Sequence, residues 1–181
     1  ITLPIKKDSD FLQIRDRLLA DTWKDERIKL LNKIREAYKK APYFSTAFPT
    51  IEKCLLFKEQ NLFNFIFHSL EQMKTYLNIK TKLIVSSTIE IDHQLKSEQK
   101  VIAICQAQKA TNYINPIGGV ELYDKDQFQH NGIHLSFLKT SQVIYKQFND
   151  DFIPFLSIID VMMFNSSVEI REFLNMGFEI C

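Results

Sequence analysis

The chain has 181 residues, 45% of them hydrophobic and 25% charged, and its 23 basic and 22 acidic side chains give a formal net charge of +1. A chain of this length fits one domain and buries roughly two thirds of the surface that it exposes when unfolded. Because the charges nearly cancel, the composition excludes a general electrostatic attraction to nucleic acid or to an anionic membrane. Any anion that the protein binds must therefore bind at a local site.

Cysteine usage and hydropathy indicate the compartment. Cys54, Cys105 and Cys181 are odd in number and far apart in the sequence, and none of them forms a Cys-x-x-Cys unit. Free thiols in a reducing compartment are therefore the expected state. No apolar run approaches the roughly 20 residues that span a bilayer, and no signal-peptide pattern is found. These features predict a cytoplasmic protein without membrane insertion.

The first 80 residues have mostly helical patterns. Residues 1–5 alternate apolar and polar side chains and predict a strand, in which Pro4 favours a sheet edge. Apolar residues then recur at three- to four-residue spacing, which predicts amphipathic helices. These helices cover residues 11–19, residues 23–40 with Thr22 as N-cap, residues 50–57 after Phe48-Pro49, and residues 62–77 with Asn61 as N-cap. The predicted buried stripe of the last helix consists of Phe63, Ile66, Phe67, Leu70, Met73 and Leu77.

The rest of the chain alternates between strand and helix patterns. Residues 83–85 are a continuous β-rich run, which predicts a buried parallel strand. The other predicted strands lie at residues 113–114 and 133–138. The predicted helices lie at residues 98–109, 125–130, 154–164 and 168–176. Ser97 is the predicted N-cap of the first of these helices, and the second has Asp124 as its N-cap and ends at Gly132. This order predicts a single α/β domain over residues 1–181, with a mostly parallel sheet flanked by helices.

Residues 111–124, with the sequence TNYINPIGGVELYD, are the first candidate for function. Gly118 and Gly119 are two of only four glycines in the chain, and Gly132 lies shortly downstream. Glycine accepts positive φ and lets the backbone approach a ligand closely. The hydrogen-bonding side chains of the segment are those of Asn112, Tyr113, Asn115, Glu121, Tyr123 and Asp124. This composition favours a binding site, and the alternative is a tight loop from strand to helix.

Hydroxyl residues mark a second position of interest. Ser86 and Ser87 follow the predicted strand at residues 83–85. Open α/β sheets place ligand contacts at the carboxyl ends of buried strands, so both serines are candidate ligand contacts. A turn prefers the same residue types, and this structural alternative stays open.

Several standard chemistries are disfavoured. The chain has no Gly-x-x-x-x-Gly-Lys phosphate loop, no Gly-x-Gly-x-x-Gly fingerprint and no Gly-x-Ser-x-Gly elbow. His130 and His134 are four residues apart, but Asn131 and Gly132 between them break the helix that would bring both rings to one metal. We therefore predict no metal site, and the sequence does not identify a cofactor.

Asp160 is the most informative acidic residue, because residues 158–163 around it are otherwise apolar. A buried aspartate in such a run must be paired or hydrogen-bonded. Its structural interpretation is that it anchors the glycine loop or caps a neighbouring helix. Its functional interpretation is that it faces a ligand with a perturbed pKa. Glu121 and Asp124 are the other candidates for acid or base chemistry.

Five blocks of the sequence resemble the WbqC-like family of bacteria, in the expected order and over essentially the whole chain. These blocks are ITLPI at residues 1–5, APYF at 41–44, YINPIGGVELY at 113–123, GIHL at 132–135 and LSIIDVMMFN at 156–165. Family members also carry an N-terminal segment resembling Gln-Pro-x-Phe-Phe-Pro-x-x-Gly-Tyr ahead of the first block. We expect that segment to be missing here.

The resemblance implies a role in the biosynthesis of O-antigen and related surface polysaccharides, with transfer of glycine or another acyl group to an amino sugar. Such a transfer needs a base for the sugar amine and hydrogen-bond donors for the developing oxyanion. Glu121 and Asp160 are the predicted catalytic residues, and the backbone of Gly118 and Gly119 is predicted to supply the donors. The predicted ligand-binding residues are Tyr113, Asn115, Gly118, Gly119, Tyr123, Asp124, Asn165, Ser86 and Ser87.

Two other functions remain open. Residues 86–88 after the predicted strand resemble the nucleotidylyltransferase type of α/β fold, which binds a nucleotide at the carboxyl ends of its strands. A non-catalytic accessory protein that binds a sugar or a nucleotide fits Tyr113, Tyr123 and the amide side chains equally well. In each case the predicted partner is a small molecule, either an activated sugar or an acyl or aminoacyl donor, and not a nucleic acid.

Overall fold

The computed structural model describes residues 2–181 and confirms a mixed α/β protein. Within that range the helices are α1 (Trp23–Tyr38), α2 (Phe44–Leu55), α3 (Leu62–Tyr76), α4 (Ser97–Ala107), α5 (Lys125–His130), α6 (Ile158–Phe164) and α7 (Ser167–Met176). The strands are β1 (Asn112–Pro116), β2 (His134–Thr140) and β3 (Phe178–Ile180). None of these helices is long and apolar enough to cross a membrane.

The chain forms two compact units. The first unit covers the chain up to Lys80 together with Val143–Phe173, and the second unit covers Thr81–Gln142 together with Leu174–Cys181. The expectation of one domain over residues 1–181 stays a prediction.

The first unit has a helical core. Helix α2 packs against α1, α3 and α6, because the apolar residues of each helix recur at three- to four-residue spacing and form a buried face. Trp23 of α1 meets Phe65 of α3 edge to face, with ring centroids 5.6 Å apart. Met162 and Met163 of α6 are completely buried against this core. This packing fixes the position of α6, which carries Asp160.

The start of the chain is not strand and helix as predicted. Ile1 lies outside the described residues, and Ile5 makes only an isolated antiparallel bridge with Leu19. Residues 11–19 contain a single short 3₁₀ turn at Ile14–Asp16, because Leu18 and Leu19 are extended and bridge to other parts of the chain. Helical spacing in this segment was therefore misleading, since tertiary pairing overrides local propensity.

Two helix boundaries differ from the prediction for local reasons. The segment predicted to begin a helix after Phe48-Pro49 is part of one continuous helix, α2, which contains Pro49 in its interior. The helix predicted at residues 154–164 begins only at Ile158. Phe155 has a φ of 56°, which is incompatible with a right-handed helix, and the Ser157 hydroxyl caps α6 by accepting a hydrogen bond from the Ile159 N–H.

The predicted buried stripe of α3 is confirmed only in part. Leu77 is buried and Met73 packs against the core, as predicted, whereas Ile66 and Leu70 are 40% and 50% exposed. Within the helix the buried residues are Leu62 and Phe65. The helix is apolar on more than one side, so its sequence alone does not identify the face that Trp23 covers.

Three predicted helix signals have mixed outcomes. The Asn61 side chain accepts a hydrogen bond from the Asn64 N–H at 3.0 Å, which confirms the cap of α3. Thr22 stands at the N-cap position of α1 but makes no side-chain cap bond. Ser97 is the first residue of α4 with a φ of 47°, so it does not act as the cap. That helix also ends at Ala107, two residues before Lys109, whose φ is 54°.

The second unit contains a three-stranded sheet in the order β1-β2-β3. Strands β1 and β2 pair in parallel, from Asn112 opposite His134 to Pro116 opposite Leu138, whereas β2 and β3 are antiparallel. The mixed α/β class is therefore confirmed, and a mostly parallel sheet is not. The core of this unit consists of Ile102, Cys105, Phe128, Ile133, Leu135 and Phe137.

The strand predicted at residues 83–85 is wrong. These residues are irregular, and Ile84 is 46% exposed. A three-residue apolar run has no strand stability of its own without a neighbouring strand to pair with. Strand β3 was not predicted, because its stability comes from pairing with β2.

We predict that Asn61→Ala lowers the free energy of unfolding by about 2 kcal/mol. Asn61 caps α3 and also donates a hydrogen bond to the Arg15 carbonyl at 2.6 Å, and each bond contributes about 1 kcal/mol. Urea unfolding of the wild type and the variant measures the loss. The control Asn61→Asp keeps the cap but not the amide donor, and its loss should be about half. Equal stability of Asn61→Ala and the wild type would contradict both roles.

Candidate functional site

The structure places Asp160 at the centre of a buried polar cluster in the first unit. Its side chain lies on α6 and is 4% exposed. Asp160 Oδ1 accepts a hydrogen bond from the Tyr38 hydroxyl at 2.8 Å. Asp160 Oδ2 accepts from the Tyr145 hydroxyl at 2.7 Å and from Gln147 Nε2 at 3.0 Å. Three neutral donors thus solvate this carboxylate in place of water, as its burial requires.

The segment between β2 and α6 supplies two of these donors. The Gln147 side chain donates to the Ile153 carbonyl at 3.1 Å and accepts from the Ile153 N–H at 2.9 Å. The Tyr145 ring packs edge to face on Phe152, with centroids 5.3 Å apart. These contacts hold an irregular segment in a defined loop, so that Tyr145 and Gln147 can both reach Asp160.

Burial and Asp160 together keep both tyrosines protonated. Burial is the largest cause, followed by the hydrogen bond to Asp160, and they raise the pKa of Tyr145 from 10.0 to about 12. The same causes raise the pKa of Tyr38 well above its usual range. Because each hydroxyl proton points to the carboxylate, each tyrosine can offer only the lone pairs of its oxygen to another group.

A cavity of about 210 Å³ lies beside this cluster within the first unit. Tyr38, Gln147 and Asp160 line it, together with Asp151 and the rings of Phe148 and Phe164. The two phenylalanine rings meet edge to face at 4.8 Å. The described residues that line the cavity include two carboxylates, those of Asp151 and Asp160, but no lysine or arginine. This lining suits a cationic or donor-rich ligand with an apolar surface better than an anion.

The structural alternative for Asp160 is only partly right. The carboxylate is hydrogen-bonded as burial demands, but all three donors belong to the first unit, and none is a helix N-terminal N–H. Sequence reasoning did not find Tyr38, Tyr145 or Gln147. The apolar run around Asp160 indicates that its carboxylate needs hydrogen-bond donors. It does not identify them, because Tyr38, for example, lies 122 residues away in the chain.

The glycine loop belongs to the second unit, where β1 continues into a 3₁₀ segment at Ile117–Leu122. Within residues 2–181, Gly132 is the glycine with positive φ, at 73°, whereas Gly118 and Gly119 do not need this conformation. A Cβ on Gly119 would collide with the Asn115 side-chain amide and would lie 3.4 Å from the Tyr123 ring. Gly119 therefore allows close packing inside the loop, and Gly118 faces open space.

The two tyrosines of this segment are part of an aromatic cluster. Tyr113 stacks on Phe128 with centroids 5.5 Å apart, and Tyr123 meets the same ring edge to face at 5.9 Å. Burial, with a hydrogen bond to Tyr123, raises the pKa of Tyr113 from 10.0 to about 12. Both side chains are half-buried, so packing accounts for most of their surface.

The remaining predicted residues have identifiable local roles. Asp124 caps α5 by accepting a hydrogen bond from the Asp126 N–H at 2.9 Å, as predicted, and its own N–H donates to Glu98 Oε2. Glu121 is exposed. Asn165, 5% exposed at the end of α6, donates to the Val161 carbonyl at 2.9 Å.

Ser86 and Ser87 do not follow a strand. They lie in an exposed 3₁₀ turn at Ser86–Thr88. Their prediction as ligand contacts rested on a buried strand at residues 83–85, and that support is gone.

The predicted residues thus fall into two groups. Asn115, Gly119 and Tyr123 lie together in the second unit, and Tyr113 contacts Tyr123 there. Asp160 and Asn165 belong to the first unit. Whether any of these residues binds a ligand stays a prediction. Residues 2–181 contain no cluster of three or more His, Cys, Asp or Glu side chains that could hold a metal ion.

We expect Gly119→Ala to destabilise the protein by about 1–3 kcal/mol, because its Cβ requires the Asn115 amide to move out of a packed loop. Gly118→Ala is the matched control, because nothing lies within 4 Å of its Cβ. Thermal unfolding of both variants measures the difference. Equal unfolding temperatures for the two variants would contradict the packing role of Gly119.

The raised pKa of Tyr145 predicts a pH dependence of stability. Its contribution is fully present below the ordinary pKa of 10.0 and is lost as the pH rises through about 12, because the unfolded chain ionises first. The free energy of unfolding should therefore fall between these two pH values, and Tyr145→Phe should reduce that fall. Urea unfolding at stepped pH tests this. The same pH dependence in wild type and variant would show that Tyr145 ionises normally.

Comparison with known proteins gives one family. The sequence profile of the WbqC-like protein family matches residues 1–172 of the 181 residues. No curated protein and no solved structure matches the chain.

Proposed function

Because the chain belongs to the WbqC-like protein family, we propose that it acts in the biosynthesis of a surface polysaccharide such as an O-antigen. The proposed reaction is the transfer of glycine or another acyl group to the amine of an amino sugar. The proposed compartment is the cytoplasm, where free thiols such as the buried Cys54 and Cys105 stay reduced. The binding site for the amino sugar is the cavity beside Asp160.

The observation that carries this proposal is a buried carboxylate whose donors are all neutral. Asp160 accepts from Tyr38, Tyr145 and Gln147, and no salt bridge neutralises it among residues 2–181. Its negative charge therefore favours a cation in the adjoining cavity. An ammonium group is such a cation, and all of its hydrogen-bonding atoms are donors.

The cavity wall complements the other parts of an amino sugar. Tyr38 presents an acceptor lone pair, because its proton is donated to Asp160. Asp151 adds a second carboxylate at the same cavity. The rings of Phe148 and Phe164 offer apolar surface to the carbon face of the sugar, and aromatic rings also attract cations.

The same contacts give a route for the proton that the amine must lose. The ammonium donates its proton to the Tyr38 oxygen while Tyr38 passes its own proton to Asp160 Oδ1. The tyrosine is unchanged, and the carboxylate gains one proton. The neutral amine then attacks the acyl carbon, the C–N bond forms as the bond to the leaving group breaks, and the second proton of the amine nitrogen departs with the leaving group. Tyr145 and Gln147 are positioning residues that hold the carboxylate in place.

A non-catalytic accessory role is the second candidate, because the same cavity would hold an amino sugar without any transfer. The nucleotidylyltransferase alternative loses its support, since residues 83–85 do not form the buried strand on which it rested. The glycine loop, with Glu121 as a base and the N–H groups of Gly118 and Gly119 as oxyanion donors, remains a separate prediction.

Calorimetry with a free amino sugar and its neutral counterpart, glucosamine and glucose, tests the binding site. We expect glucosamine to bind at least about tenfold more tightly, because its ammonium group meets the Asp160 cluster. Tyr38→Phe should reduce this preference about tenfold. The matched control Tyr76→Phe removes a hydroxyl outside the cavity lining and should not. Equal affinity for the two sugars, or equal behaviour of the two variants, would contradict the site.

Transfer is tested separately with activated glycine and acetyl donors. Asp160→Asn keeps most of the hydrogen bonds but cannot take up the proton, so we expect amino-sugar transfer to fall by at least about a hundredfold. Circular dichroism checks that the variant is folded. Unchanged transfer in a folded Asp160→Asn protein removes Asp160 as the base, and amino-sugar binding without transfer by the wild type favours the accessory role.

A further inference from the structure

The segment that precedes α6 in the first unit has no main-chain support. Residues 143–156 contain no helix and no strand, and within residues 2–181 none of them makes a backbone–backbone hydrogen bond. Phe155 has a φ of 56°, a left-handed conformation that is unfavourable for a residue other than glycine, and its side chain is 87% exposed. Side-chain contacts therefore decide where this segment lies. Such weak main-chain support is typical of segments that move.

A single side chain closes a loop within this segment. Gln147 Nε2 donates to the Ile153 carbonyl, and Gln147 Oε1 accepts from the Ile153 N–H. These two bonds join the ends of residues 148–152, which we call the gate loop. Phe148, Asn149 and Asp151 of the gate loop line the Asp160 cavity. The gate loop is therefore one wall of that cavity, and the pair at its ends holds the wall in place.

The same amide also contacts Asp160. Gln147 Nε2 has two hydrogens, and the second is donated to Asp160 Oδ2 at 3.0 Å. A hydrogen bond to a carboxylate is stronger than one to a neutral acceptor. The other titratable side chains around this carboxylate are Tyr38 and Tyr145, which donate to it, and Asp151 in the cavity wall. The strength with which Gln147 is held therefore depends on the charge of Asp160.

We propose that the gate loop is a movable wall of the Asp160 cavity and that Gln147 is its latch, which the negative charge of Asp160 keeps closed. When the carboxylate takes up a proton, its bond to Gln147 becomes an ordinary neutral one and the latch weakens. The wall then moves away from Phe164, whose ring Phe148 contacts edge to face at 4.8 Å.

The use of this gate rests on the proposed function, in which Asp160 takes up the proton of the amine before the product leaves the cavity. Opening of the wall at that stage would help the product to dissociate. The latch itself does not depend on the ligand, because all of its contacts are made within the protein. It is therefore tested on the free protein.

The Ile153 N–H reports on the latch, because its acceptor is Gln147 Oε1. Its exchange with solvent, measured by NMR, follows the population of the open latch, and we expect it to be protected in the wild type. Asp160→Asn should speed this exchange about tenfold, because the acceptor of Gln147 loses its charge. The asparagine preserves the geometry, since its oxygen accepts from Gln147 while the Tyr38 hydroxyl accepts from its amide group.

Tyr38→Phe is the matched control. It also removes one hydrogen bond of Asp160, but it keeps the charge and lies outside the gate loop. Exchange of the Ile153 N–H should therefore change less than about twofold. The nuclear Overhauser effect between the rings of Phe148 and Phe164 measures the position of the wall. It should weaken in Asp160→Asn and persist in Tyr38→Phe.

Two variants of the latch decide the matter even where Asp160→Asn does not fold. Gln147→Met and Gln147→Glu both remove the donor to Asp160. The glutamate keeps an acceptor for the Ile153 N–H, but it also brings a second negative charge to Asp160. We expect Ile153 to exchange at least as fast in Gln147→Glu as in Gln147→Met. Slower exchange in Gln147→Glu would show a purely local pair that is independent of Asp160.

Three further results would overturn the proposal. The first is a wild-type Ile153 N–H that exchanges as fast as an unprotected amide. The second is an equal change of exchange in Asp160→Asn and Tyr38→Phe. The third is a contact between Phe148 and Phe164 that persists when the latch is open. No sugar is present in these measurements, so failure of glucosamine to bind contradicts the proposed function alone, and an unlatched gate loop contradicts the gate alone.

Discussion

The burial of the Asp160 carboxylate is the constraint on which the first unit depends. Removing an unpaired carboxylate from water costs several kcal/mol, and here no cation offsets that cost among the described residues. Three neutral hydrogen-bond donors offset this cost instead, and they come from distant parts of the chain. Tyr38 connects α1 to α6, while Tyr145 and Gln147 fix the irregular segment that precedes α6. The same interaction therefore organises both the packing and the proposed site.

The second unit shows how a sequence rich in binding-type residues can be explained by packing. Tyr113 and Tyr123 cover Phe128, Asp124 caps α5, and Gly119 makes room for the Asn115 side chain. These contacts use much of the hydrogen-bonding and aromatic surface from which a site was predicted. Glu121 and Gly118 are free of such contacts and exposed, so they remain the parts of the loop best able to meet a ligand.

The sequence by itself determined the α/β class, the family, the caps at Asn61 and Asp124, and the need for donors around Asp160, because these depend on local pattern and residue chemistry. Only the tertiary structure decided which face of α3 is buried, that residues 83–85 are not a strand, and that β3 pairs with β2. It also decided that Tyr38, Tyr145 and Gln147 are the donors. Strand pairing and burial join residues far apart in the chain, and a local apolar pattern carries no information about its partner.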